Sequence, residues 1–300
     1  MKHLKHKISN GEKVFSIFNY TFLSVLGLTC ILPLIHVLAV SFSSKAPVAA
    51  GMVGLWPVDF SLESYRFIVN KPEFLRALSV TAWRILLGVP LSMLLTILVA
   101  YPLSKEDKQF RGRTVYVWAF MITILFSGGL IPFYMTVKMT GMLDTIGALV
   151  LPSAVQVFNI VLMLNFFRGI PKEIEESAFV DGAAHWKTLW KIIIPVSMPS
   201  IATVLLFTTV TQWNSWFDGI LLMNSSANYP LQTYLQVMVI QATMKIGSTF
   251  NAEDYKILQI VSDKTAKSAQ IFLGALPILL VYPFLQRYFV KGIVLGSVKG

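Results

Sequence analysis

The sequence predicts an all-α, polytopic membrane protein with six transmembrane helices, and three observations carry that expectation. Hydrophobic residues make up 55% of the 300 and charged residues only 13%, a balance outside the range of soluble globular domains. The mean hydropathy is +0.66. Several windows hold about 20 apolar residues, enough to cross roughly 30 Å of hydrocarbon as helix, whereas a membrane barrel would show short alternating segments instead.

The spans fall near Val14–Phe42, Ala77–Leu103, Thr114–Val137, Ile146–Phe167, Val196–Met223 and Ser268–Val290. The first is too long for the apolar core of a cleavable leader, and no small-residue cleavage site follows it, so it reads as an uncleaved signal anchor. It contains the lone Cys30, which excludes a disulfide framework or cysteine metal cluster. His36 in the same run has no acidic neighbour in sequence and reads as structural. The loop Ser43–Arg76 carries Pro47, Gly51, Gly54, Trp56-Pro57 and Pro72, the composition of an ordered surface loop able to touch an external partner. Span two contains Arg84, and the charged turn Ser104–Arg113 joins it to span three. Ser127-Gly128-Gly129 and Ile131-Pro132 predict either a broken, re-entrant helix or a proline-kinked span end followed by a short interfacial helix. The segment Asn224–Lys267 is the longest polar stretch outside the spans.

Charge fixes the expected orientation. Fifteen of the 25 Lys and Arg residues lie in the two tails and two loops on one side: Lys2, Lys5, Lys7, Lys13; Lys105, Lys108, Arg111, Arg113; Arg168, Lys172, Lys187, Lys191; Arg287, Lys291, Lys299. Nine lie in the longer opposite segments, so both termini are expected in the cytoplasm. The organisation is then a tail at 1–13, a membrane domain at 14–290 with a cytoplasmic loop at 169–195 and an extracellular loop at 224–267, and a tail at 291–300. The net charge of +10 follows from topology and attraction to anionic lipid, and calls for no nucleic-acid partner.

The stretch Gly169–Pro199 is the long polar interruption in the second half of the chain. Pro171, followed by Glu173, Glu175 and Glu176, marks a helix start, where a missing N–H costs nothing and carboxylates favour the positive end. Asp181-Gly182 supplies a residue suited to left-handed backbone, the usual stop and turn. Beyond that elbow Trp186, Leu189, Trp190 and Ile193 recur at helical spacing, which predicts an amphipathic helix with a wide aromatic face. Pro195 and Pro199 interrupt or kink it.

Enzymatic machinery is missing. The chain has no glycine-rich phosphate cradle ending in Gly-Lys-Ser/Thr, no HExxH zinc pair, no Gly-x-Ser-x-Gly elbow and no paired intramembrane carboxylates. No catalytic residue and no metal site are expected.

The run Glu176-Ser177-Ala178, then Asp181-Gly182-Ala183, then Ile194-Pro195 and Pro199, resembles the EAA loop of bacterial ATP-binding-cassette (ABC) importer permeases. It departs from the usual pattern in Ser177 for Ala and Ile194 for Leu. The resemblance implies a coupling helix over Lys172–Lys191, seated on an ATP-hydrolysing subunit through Glu176, Ser177, Ala178, Asp181, Gly182, Ala183, Trp186 and Pro195. The tail, with Lys291, Gly296, Lys299 and Gly300, resembles that of the second permease subunit in maltose-type carbohydrate importers, which reaches the ATPase interface. The branch it looks closest to is the one for complex oligosaccharides. The type I permease fold is implied, along with a second permease subunit, two ATP-binding subunits that hold ATP and Mg, and an extracellular solute-binding lipoprotein. This chain itself would bind no cofactor.

Span five mixes hydroxyls, amides and aromatics, the groups that suit sugar hydroxyls and flat C–H faces. Thr209, Gln212, Trp213 and Trp216 at helical spacing, with Asn214 and Asp218, predict a face toward a carbohydrate path, and Asn165 in span four is a further candidate. The alternative for Trp216 and Phe217 is an interfacial aromatic belt. Two other functional readings remain: an ABC permease for a non-sugar solute, and a membrane-embedded enzyme with Asp218 as its carboxylate.

Overall fold

The computed structural model describes residues 10–70, 72–244 and 264–280, and among them every regular element is helical. They group into two compact units, residues 10–70 with 242–244 and 264–273, and residues 72–241 with 274–280.

In the first unit, α1 (Asn10–Ser41) is 32 residues long and apolar around its whole circumference. The following loop is ordered, as its proline and glycine content predicts. Ser43 Oγ donates to Ala39 O (2.7 Å) and accepts from Val58 N (3.0 Å), and Ser43 bridges Phe60. Phe42 stacks on Phe60 and Tyr65 with ring centroids 5.5 and 4.8 Å apart. Two short helices, α2 (Lys45–Ala49) and α3 (Glu63–Val69), lie within this loop. His36 Nδ1 lies 2.8 Å from Gly54 O, a structural tie between helix and loop.

The second unit is organised around α4 (Pro72–Ser104), whose 33 residues run well past the expected Ala77 start. The third span is divided into α5 (Arg113–Leu125) and α6 (Leu130–Met139), bent by 113°. The helix is interrupted at 126–129, where Phe126 is extended and Gly129 takes φ +86°, and α6 stops at Met139, a geometry that accommodates both the broken helix and the span end followed by a short helix. Span four is also interrupted, into α7 (Ile146–Val150) and α8 (Val157–Arg168), and so is shorter as a continuous helix than Ile146–Phe167 predicts. The connector comprises α9 (Lys172–Val180), α10 (His185–Thr188), a π-helical turn Leu189–Ile193 and α11 (Ile194–Val196). It leads through an 83° bend into α12 (Met198–Asn214). After a break come α13 (Phe217–Leu222) and α14 (Leu231–Met244), and residues 264–280 are helical. Among the described residues α1 and α4 are each long and apolar enough to cross a membrane alone, and each bent pair supplies one more candidate span. The part of the sixth expected span beyond residue 280 lies outside the described residues.

The core of this unit forms where α4 meets α8 and α12. Val89, Met93, Ile97, Ala100 and Tyr101 bury against Ile160, Met163, Leu164 and Phe167, and Leu189, Ile193 and Val204 close the cluster. Close approach depends on small residues: a Cβ at Gly88 of α4 would lie 3.5 Å from the Gln212 amide of α12. Small residues serve helix pairing in this way where lipid removes the hydrophobic gradient between helix faces.

Candidate functional site

The connector is built from local backbone chemistry. Pro171 stands at the N-cap, one position earlier than a first helical residue, and Glu173 and Glu175 occupy the first turn of α9. At the other end Gly182 takes φ +75°. Its N–H donates to Phe179 O (3.0 Å), and Ala183 N–H donates to Ala178 O (2.9 Å). These are the two bonds of a Schellman stop, so the elbow at Gly182 is a closed hydrogen-bonded turn. Past it, the expected aromatic face divides in two. Leu189 and Ile193 are buried in the core, whereas Trp186 is 62% and Trp190 40% exposed, their rings in edge contact at 5.7 Å between centroids. The π turn ends at Ile193, two positions before Pro195, where an expanded turn leaves room for a ring that has no N–H to give, and the helix runs only to Val196 beyond it.

One side of α9 is bolted to the end of α4. Glu175 accepts from Tyr101 Oη (2.9 Å) and forms an ion pair with Lys105. The Lys105 ammonium sits 4.0 Å from the Tyr101 ring centroid, a cation–π contact. Burial pushes the Lys105 ammonium below the ordinary lysine range, with Glu175 pulling back against it. Lys172 pairs with Glu106 at the solvent edge, holding that carboxyl below its usual range. His185 packs edge-on against Phe179 at 4.8 Å. Tyr101, Lys105, Lys172, Glu175 and Phe179 are among the residues lining a cleft of about 500 Å³ at this junction. The opposite side of the elbow is open: Glu176, Ser177, Asp181 and Gly182 are exposed, and Val180 is 87% exposed. Ala178, by contrast, is 4% exposed and packs inward, and Ala183 is half-buried. Of the residues predicted to meet a partner, Ala178 therefore shapes the elbow from behind.

The residues of the predicted sugar face lie on two helical pieces, α12 and α13, rather than one. The helix ends at Asn214, and Ser215 is extended at ψ 119°, so Trp216 leaves the register that would align it with Thr209 and Gln212. Gln212 and Trp213 are interior residues, 1% and 7% exposed, and Trp213 Nε1 donates to Gly274 O (2.7 Å). Thr209 Oγ1 returns to Leu205 O of its own helix (2.8 Å). Trp216, Phe217, Asn214 and Asn165 are exposed, the two aromatics in edge contact at 5.7 Å.

Asp218 is not a free carboxylate. It pairs with Arg84 of α4, and its Oδ1 accepts from Ser215 Oγ (2.8 Å) and Gly219 N (2.9 Å). Arg84, 1% exposed, also donates through Nε to Gln212 Oε1 (2.8 Å) and through Nη1 to Ser215 O (3.4 Å). Gln212 Nε2 in turn donates to Ser153 Oγ (2.9 Å). A second buried pair, Asn159 Nδ2 to Thr208 Oγ1 (3.0 Å), joins α8 to α12. Reading the sequence for a transport face missed Arg84, Ser153 and Asn159. The available signal was that a charge inside a span requires a partner, and Asp218 was the acidic residue in reach of that rule.

No group of three or more His, Cys, Asp or Glu side chains suited to a metal occurs among the described residues. The tail residues Lys291, Gly296, Lys299 and Gly300 lie outside them.

Residues 66–295 match the family described as binding-protein-dependent transport system inner membrane component. The chain is 40% identical to the polygalacturonan/rhamnogalacturonan transport system permease protein YtcP of Bacillus subtilis (strain 168), over 96% of this chain and 99% of that one. It is 38% identical to Protein LplC of the same organism, over 99% of each. Among solved structures it resembles, at TM-score 0.82 and 32% identity, a chain of a bacterial ABC transporter involved in the import of the acidic polysaccharide alginate, covering 94% of this chain and 98% of that one.

Proposed function

We propose, because the chain belongs to the family of binding-protein-dependent transport system inner membrane components, that it is a membrane-spanning permease subunit of an ABC importer for oligosaccharide. The observation that carries this reading is the connector: a hydrogen-bonded elbow at Gly182, fixed on one side to α4 through Glu175, Tyr101 and Lys105, with Val180, Asp181 and Trp186 uncovered on the other. A polar projection that is rigid behind and open in front suits transmission of a rigid-body displacement from a second protein. Two cytoplasmic ATPase subunits, which bind ATP and Mg, supply the motion. A second permease completes the path, and an extracellular solute-binding lipoprotein delivers the cargo.

The orientation that fits is the one given by the cation distribution, with the connector and both termini in the cytoplasm and the loop 224–267 outside. The polysaccharide substrates in the names of the relatives support an oligosaccharide cargo, and alginate is named there as acidic. The engagement of Asp218 by Arg84 disfavours the enzyme alternative, because its carboxylate is already committed to a cation and two donors.

The test is a gentle detergent extract of the native membrane. The chain is expected to co-purify with an ATPase whose hydrolysis rises with binding protein and uronate-containing oligosaccharide together. Purification without any ATPase, or hydrolysis indifferent to every oligosaccharide offered, would refute the reading.

A further inference from the structure

The geometry points to Arg84 as a positioning residue of the transport cycle: a clasp that makes the far end of the broken fifth span follow the connector end. This rests on the transport reading above.

Three observations combine. First, α12 follows the connector across an 83° bend that is itself tied, Ser197 N–H donating to Ile193 O (2.9 Å) and Ile201 N–H to Ser197 O (2.9 Å), so a displacement of the elbow reaches its first turn, and its 17 residues carry that displacement over about 25 Å at the α-helical rise. Second, the helix then breaks. Ser215 is extended, α13 has only six residues, and without a fixing contact a break of this kind would absorb the motion as a change in angle between the two pieces. Third, Arg84 grips both sides of the break at once. Its Nε holds Gln212 in the last turn of α12, and its guanidinium nitrogens hold Ser215 O and the Asp218 carboxylate in the first turn of α13.

A planar, five-donor guanidinium is the side chain able to make these contacts together, and a lysine could not. Its burial makes the clasp directional, because leaving the ion pair unpaired in a low-dielectric interior is costly. Gly88, one turn along α4, admits the Gln212 amide that completes the grip. Arg84 therefore fixes α12, the break and α13 to α4 as one body. Without it, the connector would still move with the ATPases while the far half of the span lagged behind.

The experiment uses the whole complex in phospholipid vesicles with its binding protein, measuring ATP hydrolysed and labelled oligosaccharide imported in the same preparation. The primary variant is Arg84→Met combined with Asp218→Leu, since apolar side chains of similar volume commonly replace a buried ion pair without loss of fold. Assembly and hydrolysis are expected to persist while sugar imported per ATP falls by about tenfold, a size usual for coupling between sites. Arg84→Lys should recover little of the ratio. An unchanged ratio overturns the proposal, and so does an equal fall in hydrolysis and import. Failure of the double variant to assemble with its ATPase overturns it in favour of a purely structural pair. If the unaltered complex shows no sugar-stimulated hydrolysis, the transport reading fails rather than the clasp.

Discussion

Replacing Gly182 separates the shape of the elbow from its chemistry. The residue holds φ +75°, and a Cβ added there meets nothing within 4 Å. Gly182→Ala therefore adds no clash, only the left-handed backbone penalty of about 1–2 kcal/mol, which lowers the population of the formed elbow by about 5- to 30-fold relative to alternatives. Gly182→Pro is different in kind. The ring demands φ near −65°, and it removes the N–H that donates to Phe179 O at 3.0 Å, a combined loss of about 3 kcal/mol or more. The neighbouring bond from Ala183 to Ala178 goes with it. In reconstituted complexes, uptake of labelled oligosaccharide should fall in the order unaltered, alanine, proline, with membrane insertion preserved in all three. Contact with the ATPase can be followed by crosslinking from a cysteine at Val180, which is 87% exposed; Ala178, facing inward, is a poor reporter. Normal uptake in the proline variant, or an alanine variant worse than proline, would refute the account of the elbow as a rigid lever.

Further outcomes follow from the same geometry. Glu175→Gln leaves Lys105 half-buried without its counter-ion, and the purified complex should lose about 1–3 kcal/mol of stability, with Tyr101→Phe costing less; thermal melting checks both. The Lys172–Glu106 tether has a pH signature. Glu106 titrates below its usual range and Lys172 above its own, both because of the other, so the stabilisation is complete between the ordinary carboxylate and lysine values. It is lost as pH falls through the depressed Glu106 value, or rises through the elevated Lys172 value. The distance between spin labels on cysteines placed at Lys108 and Glu173 should be constant from about pH 6 to 9 and change only in stronger acid or base; a midpoint near neutrality would contradict the pairing. Gly219→Ala would put a Cβ 2.1 Å from Thr233 Oγ1 and 2.9 Å from Pro230 Cδ, so overpacking of about 1–3 kcal/mol is expected, visible as reduced yield of folded protein. A variant as stable as the parent would show that the α13–α14 contact can relax.

What could be read from sequence divides by range along the chain. The elbow was legible because its signals are local: Pro171, the early glutamates and Gly182 each act within one turn of where they stand. The break near Gly128-Gly129 was legible for the same reason, and only its 113° bend needed coordinates. The anchoring of α9 was not legible, since Tyr101 and Lys105 stand 74 and 70 positions from Glu175 without a shared motif. The Arg84–Asp218 pair spans 134 positions, and its members were visible only as two charges in apolar surroundings. The expected alignment of Trp216 with Thr209 and Gln212 was lost because helical spacing was extended through Ser215, where the backbone leaves the helix. Periodicity identifies faces only while the helix lasts.

The long first helix has a practical consequence. From Val14 to Ile35 its large side chains are exposed on every side, many above 50%, and its burial begins only at Ala39. A rod with no bare polar flank needs solvation around its full girth, so when the subunit is produced by itself it should gather a thick detergent collar or else clump. Co-expression with the companion chains is accordingly the sensible route to a monodisperse preparation.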